Sequence, residues 1–506
     1  MVSHALGQES VAEQETSALA PGKWVIICLA LYLVRVLPWM LGELWHDEVI
    51  TLGDFVLGPA DRGVGHVFRS YPVANNHMLF SLVGWWWVRF LGFTLDEYLL
   101  RLPCMAFGAA TIVLALLAWR RWLGAPLACL AGVTLAISPV FGAFACEFRG
   151  YSLTMLLSAV AVTGLAELSA GHLRRGLWLQ VPVFVALPLV IPSNVFLALA
   201  HALFLLLWPG WPRSGRARLL ASAAVGLAGL AGLSYYATIW EQFAKVMRET
   251  SGWTSGAAVL GAVGLGFWAH LGAVGVLLPA LLLRRRRGPV AGGGQRAWGL
   301  LYAGCLAVPI LGTALGNYTN APFPRVYLVY LLPLTFAACR CLRPTGVGTV
   351  RAVLLWAGLT VILGFTWERV CRWRTEVAVA AGGHPQNLLQ QYYRDRTDLR
   401  GLAGALSQAE PPRGALLLTD AYDFPTFRFY WAQNGLPPEA VFAVNRLPPE
   451  FWPRARRLPG ATLHAVAGSE MEAARLFAAA GAPGAFLPGM GVGLRRVYTW
   501  IGPTSP

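Results

Sequence analysis

Acidic residues and a histidine directly follow the first long apolar run of the chain, where Trp45-His46-Asp47-Glu48 comes after Leu44. Two adjacent carboxylates at a membrane boundary lose hydration energy, so such a pair indicates a functional site. Apolar surroundings can raise the pKa of a carboxyl group into the range of a general base. We therefore expect Asp47 to take the proton of an acceptor hydroxyl, with Glu48 beside it. The alternative is that both residues cap an interfacial helix.

A second polar group lies between the first two long apolar runs. Asn76 and His77 open a tryptophan-rich apolar stretch, and Arg101 lies near the start of the next long run. We expect Asn76 and His77 to bind substrate and Arg101 to bind a lipid phosphate. A loop histidine is often structural, and Arg101 could instead snorkel or pair with Glu97, so these alternatives stay open.

Further charged residues lie at the ends of later apolar runs. Glu147 and Arg149 are one such pair. An arginine there can hold a phosphate oxygen through charge-assisted hydrogen bonds while the glutamate orients it, although a structural ion pair is the alternative. Taken as a set, the cations predict an anionic ligand whose apolar tail lies in the membrane. The predicted phosphate or lipid ligands are Arg101, Arg149, Tyr151, Lys245, Arg325 and Tyr327, and the predicted substrate ligands are His46, Asn76, His77 and Glu147.

The composition is that of a membrane protein. Of the 506 residues, 56% are hydrophobic and 13% are charged, about half the charged fraction of soluble domains. The formal net charge is +15, but no basic run is interleaved with aromatic residues, so a nucleic-acid surface is not expected. The eight cysteines show no metal-binding spacing.

Apolar runs of about 17 to 25 residues can cross a bilayer as helices. Arginines concentrate in the loops between alternate runs, which predicts a cytoplasmic N-terminus and an external C-terminus. The run from Met78 to Gly92 breaks this alternation, so we expect it to lie at the external interface, with a true span as the alternative. The eleven predicted spans are 24–44, 99–119, 125–143, 151–170, 177–193, 194–208, 218–236, 258–283, 297–315, 326–342 and 350–367.

The composition changes after Trp367. Proline and glycine recur through residues 370–506, and no run there is long enough to span a membrane. Short apolar segments alternate with segments of helical periodicity, which predicts a small α/β domain. Its predicted elements are helices at 398–406 and 470–480 and strands at 415–419 and within 459–468. The predicted domains are a cytoplasmic tail 1–22, a polytopic α-helical transmembrane domain 23–369 with a first external loop 45–98, and an external domain 370–506.

In this order the motifs resemble the GT-C superfamily of membrane glycosyltransferases. The resemblance is to the branch, similar to glycosyltransferase family 39, that contains protein O-mannosyltransferases, aminoarabinose transferases and galacturonosyltransferases. It covers about residues 20–370. Many relatives follow the histidine with two prolines, whereas here Met78 and Leu79 follow His77. The matching segments are Trp45–Glu48, Asn76–Phe80, Glu97–Pro103, Ser138–Pro139, Glu147–Tyr151, and Arg325–Leu331 with Pro333.

The resemblance implies an inverting enzyme that transfers a sugar from a polyprenyl-phosphate donor to an acceptor hydroxyl on a lipid, glycan or protein. It implies a periplasmic reaction at a bacterial inner membrane, a catalytic carboxylate matching Asp47, and phosphate ligands matching Arg149, Tyr151, Lys245 and Arg325. Some relatives hold a divalent metal near the site; we predict that no metal or other cofactor is required here. A transporter of lipid-linked sugars and a non-catalytic assembly subunit are the alternatives from other classes.

Overall fold

The computed structural model describes most of the chain in two compact units. The membrane unit comprises Met1–Met40 and Pro59–Glu368, and the C-terminal unit comprises Leu41–Gly58 and Arg369–Pro506. The described residues are 21–58, 63–72, 76–210, 214–249, 293–315, 324–342, 398–409, 415–449, 451–453 and 462–502, with scattered positions in 260–271 and 355–377.

The membrane unit is a bundle of helices. Six helical segments among its described residues are long and apolar enough to cross a bilayer, or seven if one bent pair counts as a single span. This confirms a polytopic helical membrane protein. The helices are α1 (Pro21–Met40), α3 (Gly65–Arg69), α4 (Met78–Phe90), α5 (Glu97–Leu117), α6 (Arg120–Leu123), α7 (Ala125–Ile137), α8 (Pro139–Ala145), α9 (Tyr151–Ser169), α10 (Leu173–Val190), α11 (Val195–Leu207), α12 (Gly215–Leu233), α13 (Trp240–Glu249), α14 (Gly293–Leu315) and α15 (Leu331–Cys341).

Most predicted spans coincide with these helices. The first ends earlier than predicted, since α1 stops at Met40. The predicted span 194–208 corresponds to the shorter helix α11, and 326–342 divides into a 3₁₀ helix, Pro324–Tyr330, followed by α15. The predicted spans 258–283 and 350–367 fall largely outside the described residues. The total of eleven therefore stays a prediction.

The predicted span 125–143 is interrupted. Helices α7 and α8 meet at an angle of 63°. Pro139 has no N–H to continue the helix and disfavours helical geometry in the residue before it, and Ser138 accordingly has an extended ψ of 123°. The hydroxyl of Ser138 accepts a hydrogen bond of 3.1 Å from the Phe141 amide and so caps α8.

The tryptophan-rich stretch forms a helix, α4, of 13 residues. At about 1.5 Å per residue it is about 20 Å long, which is less than the hydrocarbon thickness of a bilayer, about 30 Å. The guanidinium of Arg89 lies 3.6 Å from the ring centre of Trp85. The place of α4 at the interface stays a prediction.

The C-terminal unit contains a five-stranded mixed sheet, which confirms the predicted α/β character. Its strand order is β2-β1-β3-β5-β4. Strand β1 pairs in parallel with β2 and β3, whereas β5 runs antiparallel to β3 and β4. The strands are β1 (Leu416–Thr419), β2 (Val441–Ala443), β3 (Leu463–Ala467), β4 (Ala485–Val492) and β5 (Arg495–Gly502), and the main helices are α16 (Leu399–Gln408), α17 (Phe424–Gln433) and α18 (Glu470–Ala479).

Residues 41–58, which include the start of the predicted first external loop, belong to this C-terminal unit. They form helix α2 (His46–Ile50) and a π-helical turn, Thr51–Leu57. The Arg400 amide donates a hydrogen bond of 2.9 Å to Oε2 of Glu43. The Leu44 amide donates one of 2.6 Å to the hydroxyl of Tyr430. No sequence motif indicates these contacts, because they join residues more than 350 positions apart.

Candidate active site

In the membrane unit, the segment after α8 brings Arg149 to His77. Arg149 is only 1% exposed. Its Nη2 lies 2.8 Å from Nε2 of His77, and the Gly150 amide nitrogen lies 2.9 Å from Nδ1 of the same ring. A neutral imidazole has one acceptor nitrogen and a protonated imidazole has none. A neutral His77 therefore accepts from Arg149 in one tautomer and from the Gly150 amide in the other.

Gly150 is the residue that permits this close approach. A Cβ atom at this position would lie 2.7 Å from Nδ1 of His77 and 2.5 Å from Cγ1 of Val190. Neither neighbour is separated enough for an ordinary carbon contact. The absence of a side chain at Gly150 thus lets the start of α9 lie directly against the imidazole ring.

Aromatic rings complete the surroundings of Arg149. Its guanidinium carbon lies 5.1 Å from the ring centre of Tyr151, a distance typical of a cation–π contact. The Tyr151 ring packs edge-on against His77 at 5.0 Å and against Phe144 at 5.2 Å. The structure thus brings together three predicted site residues, His77, Arg149 and Tyr151, and Glu147 is fully buried two positions before Arg149.

Asn76 ties down the segment that precedes α4. Its side-chain amide donates to the carbonyls of Val67 and Ser70 at 3.1 and 2.8 Å, and its Oδ1 accepts from Ser81 at 2.9 Å. These contacts hold the backbone on either side of the adjacent His77. The contact of Asn76 with substrate stays a prediction.

Arg101 is fully buried and caps the end of α1. Its Nη1 donates to the carbonyls of Trp39 and Met40 at 2.9 and 3.2 Å. The last carbonyls of a helix have no partner within the helix, so a guanidinium satisfies them well. The binding of lipid phosphate by Arg101 stays a prediction.

The other predicted phosphate ligands lie on separate elements of the membrane unit. The Lys245 side chain is 69% exposed on α13 and lies 3.8 Å from the carboxylate of Glu249. Arg325 is half-buried in the 3₁₀ helix before α15. Tyr327, in the same 3₁₀ helix, is buried, and its hydroxyl accepts a hydrogen bond of 3.4 Å from Thr313.

In the C-terminal unit, Asp47 and Glu48 lie on the first turn of α2 and are 4% and 0% exposed. The Trp45 amide donates a hydrogen bond of 3.2 Å to Oε2 of Glu48 at the start of α2. The Glu48 carboxylate thus binds the backbone at the start of the helix, and the catalytic role of Asp47 and Glu48 stays a prediction. Asp47 is the other buried carboxylate of this turn.

His46 is oriented by Tyr422, a residue that the sequence analysis missed. The two rings stack at 5.1 Å with an interplanar angle of 3°. Nδ1 of His46 lies 2.8 Å from the carbonyl oxygen of Tyr422. Since a carbonyl only accepts, Nδ1 carries the proton and Nε2 is the basic nitrogen. Oδ1 of Asp420 accepts from the amides of Tyr422 and Asp423 at 2.9 and 2.7 Å, which fixes this turn.

A buried charge cluster lies behind the Tyr422 turn. In this cluster, Nη2 of Arg495 lies 2.5 Å from Oδ2 of Asp423 and Nη1 lies 3.0 Å from Oε2 of Glu472. Burial raises the pKa of Asp423 well above its usual range, and the nearby carboxylates of Asp420, Glu472 and Glu43 raise it further. Burial also lowers the pKa of Arg495 to about 9. Carboxylates outnumber the guanidinium, so the cluster retains a proton that separate carboxylates would release.

Within the residues that the structure describes, no group of three or more His, Cys, Asp and Glu side chains is placed to hold a metal ion. The expectation that the chemistry requires no metal stays a prediction.

Comparison with known proteins gives a structural likeness. No protein-family model and no curated protein sequence matches the chain. The crystal structure of ArnT from Cupriavidus metallidurans in the apo state is 16% identical, with a TM-score of 0.54, covering 94% of this chain and 96% of that one. The structure of the same protein bound to undecaprenyl phosphate is 15% identical, with a TM-score of 0.50, covering 94% and 97%. The chain therefore has the fold of ArnT, and its resemblance to the GT-C membrane glycosyltransferases is confirmed at the level of the fold.

Proposed function

We propose that the chain is an inverting glycosyltransferase that moves a sugar from a polyprenyl-phosphate donor to an acceptor hydroxyl. The observation that carries the proposal is the buried Arg149 and its hydrogen bond to His77. An uncharged imidazole is a weaker partner for a guanidinium than a phosphate oxygen is. Arg149 can exchange this bond for a charge-assisted bond to the donor. The Gly150 amide then remains as the hydrogen-bond donor to His77.

The fold supports a lipid-linked donor. One of the ArnT structures that share this fold holds undecaprenyl phosphate, and the apolar helices of the membrane unit offer surfaces on which a polyprenyl chain can lie. Tyr151 adds a ring beside the guanidinium. Lys245, Arg325, Tyr327 and Arg101 are proposed to add to the phosphate or lipid contacts.

The proposed chemistry has one displacement step. The acceptor oxygen attacks the anomeric carbon from the face opposite the phosphate, and the bond from that carbon to the phosphate oxygen breaks. Polyprenyl phosphate leaves with the bonding electrons, and Asp47 takes the acceptor proton. Cations on the leaving phosphate offset its developing charge, so positioning and charge stabilisation supply most of the rate. His46, Asn76, His77 and Glu147 are proposed to bind the sugar or the acceptor.

We place the reaction at the periplasmic face of a bacterial inner membrane. Arginines in alternate loops predict a cytoplasmic N-terminus and a periplasmic C-terminal unit. The proposed acceptor is a hydroxyl of a glycolipid, a glycan or a protein.

One observation bears on the transporter alternative. Transporters that use broken helices have them in pairs from two related repeats. The residues described here contain one broken helix, which is the bent pair formed by α7 and α8. The release assay below separates transfer from transport.

The test is sugar release by the purified protein in lipid nanodiscs. Undecaprenyl-phosphate sugars are supplied with membrane glycolipid extracts, and undecaprenyl phosphate and the new glycoconjugate are measured by mass spectrometry. We expect release by the wild-type protein and its loss in Asp47→Asn. Binding of the donor without release by the wild-type protein, across donors and acceptors, would contradict the proposal and favour transport.

A further inference from the structure

Two histidines are fully buried among the helices of the membrane unit. His201 is 0% and His270 is 1% exposed, and both ring nitrogens of each lie within hydrogen-bond distance of a side chain. Ionisable side chains inside an apolar bundle are costly, so each one calls for a function. The proposed chemistry uses neither ring.

His270 lies between the bend of one helix and the side of another. Its Nδ1 is 2.8 Å from Oγ of Ser138, the residue between α7 and α8. Its Nε2 is 2.8 Å from Oγ1 of Thr335 on α15. The imidazole thus joins the broken span to a helix about 200 positions farther along the chain.

The hydrogen bonds around this ring run in one direction. Thr335 donates its hydroxyl proton to the Leu331 carbonyl at 2.7 Å, so its oxygen accepts the proton of Nε2. Ser138 accepts from the Phe141 amide at 3.1 Å, and its own proton is directed to Nδ1. His270 is therefore neutral, with its proton on Nε2. Every polar atom in this series of hydrogen bonds, from the Phe141 amide to the Leu331 carbonyl, has a partner.

The two joined elements lead to predicted phosphate ligands. Helix α8 begins at the bend and ends four residues before Arg149. Helix α15 directly follows the 3₁₀ helix that contains Arg325 and Tyr327. A helix broken at a proline lacks the continuous backbone hydrogen bonds that would fix its direction. The His270 bridge supplies a fixed contact at this point.

We propose that His270 is a positioning residue, which holds α8 at its angle and thereby places Arg149 for the donor phosphate. This inference rests on the proposed function of Arg149. Helix α8 is only seven residues long, so a small change of angle at Ser138 moves Arg149 by a large part of an ångström. Displacements of about 1 Å can cost about 100-fold in activity.

His201 provides a matched control inside the same bundle. The Tyr302 hydroxyl lies 2.6 Å from its Nε2, and the Gln180 amide lies 3.2 Å from its Nδ1. These three residues are on α11, α14 and α10, away from the bend. Removal of either imidazole leaves polar partners buried, so the general cost in stability is similar, but only the loss of His270 releases α8.

The experiment measures binding of undecaprenyl phosphate to the full-length protein in nanodiscs, together with KM and kcat for an undecaprenyl-phosphate sugar. We expect His270→Leu to weaken binding and raise KM by at least about tenfold. His270→Gln should restore binding to within about twofold, because its amide both donates and accepts. His201→Leu should lower the thermal stability but leave the Kd within about twofold, since generic packing losses act on folding.

A milder pair covers the case in which His270→Leu does not fold. Thr335→Val nearly preserves shape but removes the contact with Nε2, so the Kd should rise about fivefold, the size of one hydrogen bond. Thr335→Ser should bind normally.

Equal binding by wild-type, His270→Leu and Thr335→Val would overturn the inference, as would an equal loss in His201→Leu. Arg149→Lys separates this failure from failure of the proposed function. Wild-type affinity in Arg149→Lys would remove Arg149 as a phosphate ligand, whereas weak binding there with normal binding in the His270 variants would overturn the positioning role alone.

Discussion

The guanidinium of Arg149 lies within hydrogen-bond distance, 2.8 Å, of the imidazole of His77, 72 positions earlier in the chain. The same imidazole faces the Gly150 amide through its other nitrogen. A donor phosphate can therefore replace His77 as the partner of the Arg149 guanidinium. His77 then still has the Gly150 amide as a hydrogen-bond partner. This relationship distinguishes Arg149 from Arg101, whose Nη1 bonds to backbone carbonyls at the end of a helix.

Replacing Arg149 by lysine should raise KM for the lipid-linked donor by about tenfold or more, with a smaller change in kcat. A lysine keeps the charge but loses the planar fork that can hold a phosphate by two parallel hydrogen bonds. Initial rates over a range of donor concentrations measure the change. Arg89→Lys on α4 is the control, because Arg89 stacks on Trp85 in a different part of the unit. Equal KM values in both variants would contradict the assignment.

Asp47→Asn should lower kcat by about 100-fold to 10,000-fold, the usual contribution of a general base, and leave donor binding near normal. Glu48→Gln should keep most of the activity, since a glutamine oxygen can still accept from the Trp45 amide. Single-turnover rates with saturating donor separate the two effects. A larger loss in Glu48→Gln than in Asp47→Asn would exchange their roles.

Tyr422 should affect catalysis through its ring rather than its hydroxyl. Tyr422→Phe preserves the stack on His46 and the backbone carbonyl that bonds Nδ1, so its kcat should equal that of the wild type. Tyr422→Ala removes the stack, worth about 1 kcal/mol, and should lower kcat several-fold with little change in the donor KM. Equal activities of Tyr422→Ala and Tyr422→Phe would show that the orientation of His46 does not matter.

The C-terminal unit should become less stable as the pH rises above about 5. The folded state holds Asp423 at a raised pKa, so it binds a proton that the unfolded chain releases above about pH 4. Stability from this group is complete below that pH and is lost as the pH rises toward the folded pKa, by at most about 1.4 kcal/mol per pH unit. Hydrogen–deuterium exchange of β1, corrected for the intrinsic pH dependence of exchange, measures the loss.

Asp423→Asn should flatten this pH dependence, because an amide does not titrate. Glu439→Gln is the control, since Glu439 is exposed in the same unit. An unchanged slope in Asp423→Asn would show that another group of the cluster holds the proton.

The sequence predicts individual chemical groups better than their connections. Asp47, His77 and Arg149 are predicted as site residues from residue type and from their places beside apolar runs, and the structure brings the last two into contact. Tyr422 could not be found in this way, because its contact with His46 joins positions 376 apart and neither residue type marks the other.

The secondary structure shows the same division. Helices α16 and α18 and strands β1 and β3 follow clear periodicities and were predicted. Strand β4 contains Pro488 and two glycines, which are typical of turns. It nevertheless forms at the end of the strand order, where a proline is tolerated because one side of the strand needs no partner. Hydropathy does not report the direction of a helix axis, so the continuous apolar run 125–143 gives no sign of the bend. The pair Ser138-Pro139 is nevertheless a start signal for a new helix.

The packing of residues 41–58 with the C-terminal unit sets an order on biosynthesis. Glu43 leaves the ribosome 357 residues before Arg400, and Leu44 leaves it 386 residues before Tyr430. Domains tend to fold as their residues are completed, but this loop waits for nearly the whole chain to be translated. The carboxylates of α2 are thus among the last groups to reach their final surroundings, and a nascent or prematurely terminated chain would insert its helices before it acquired an organised acidic turn.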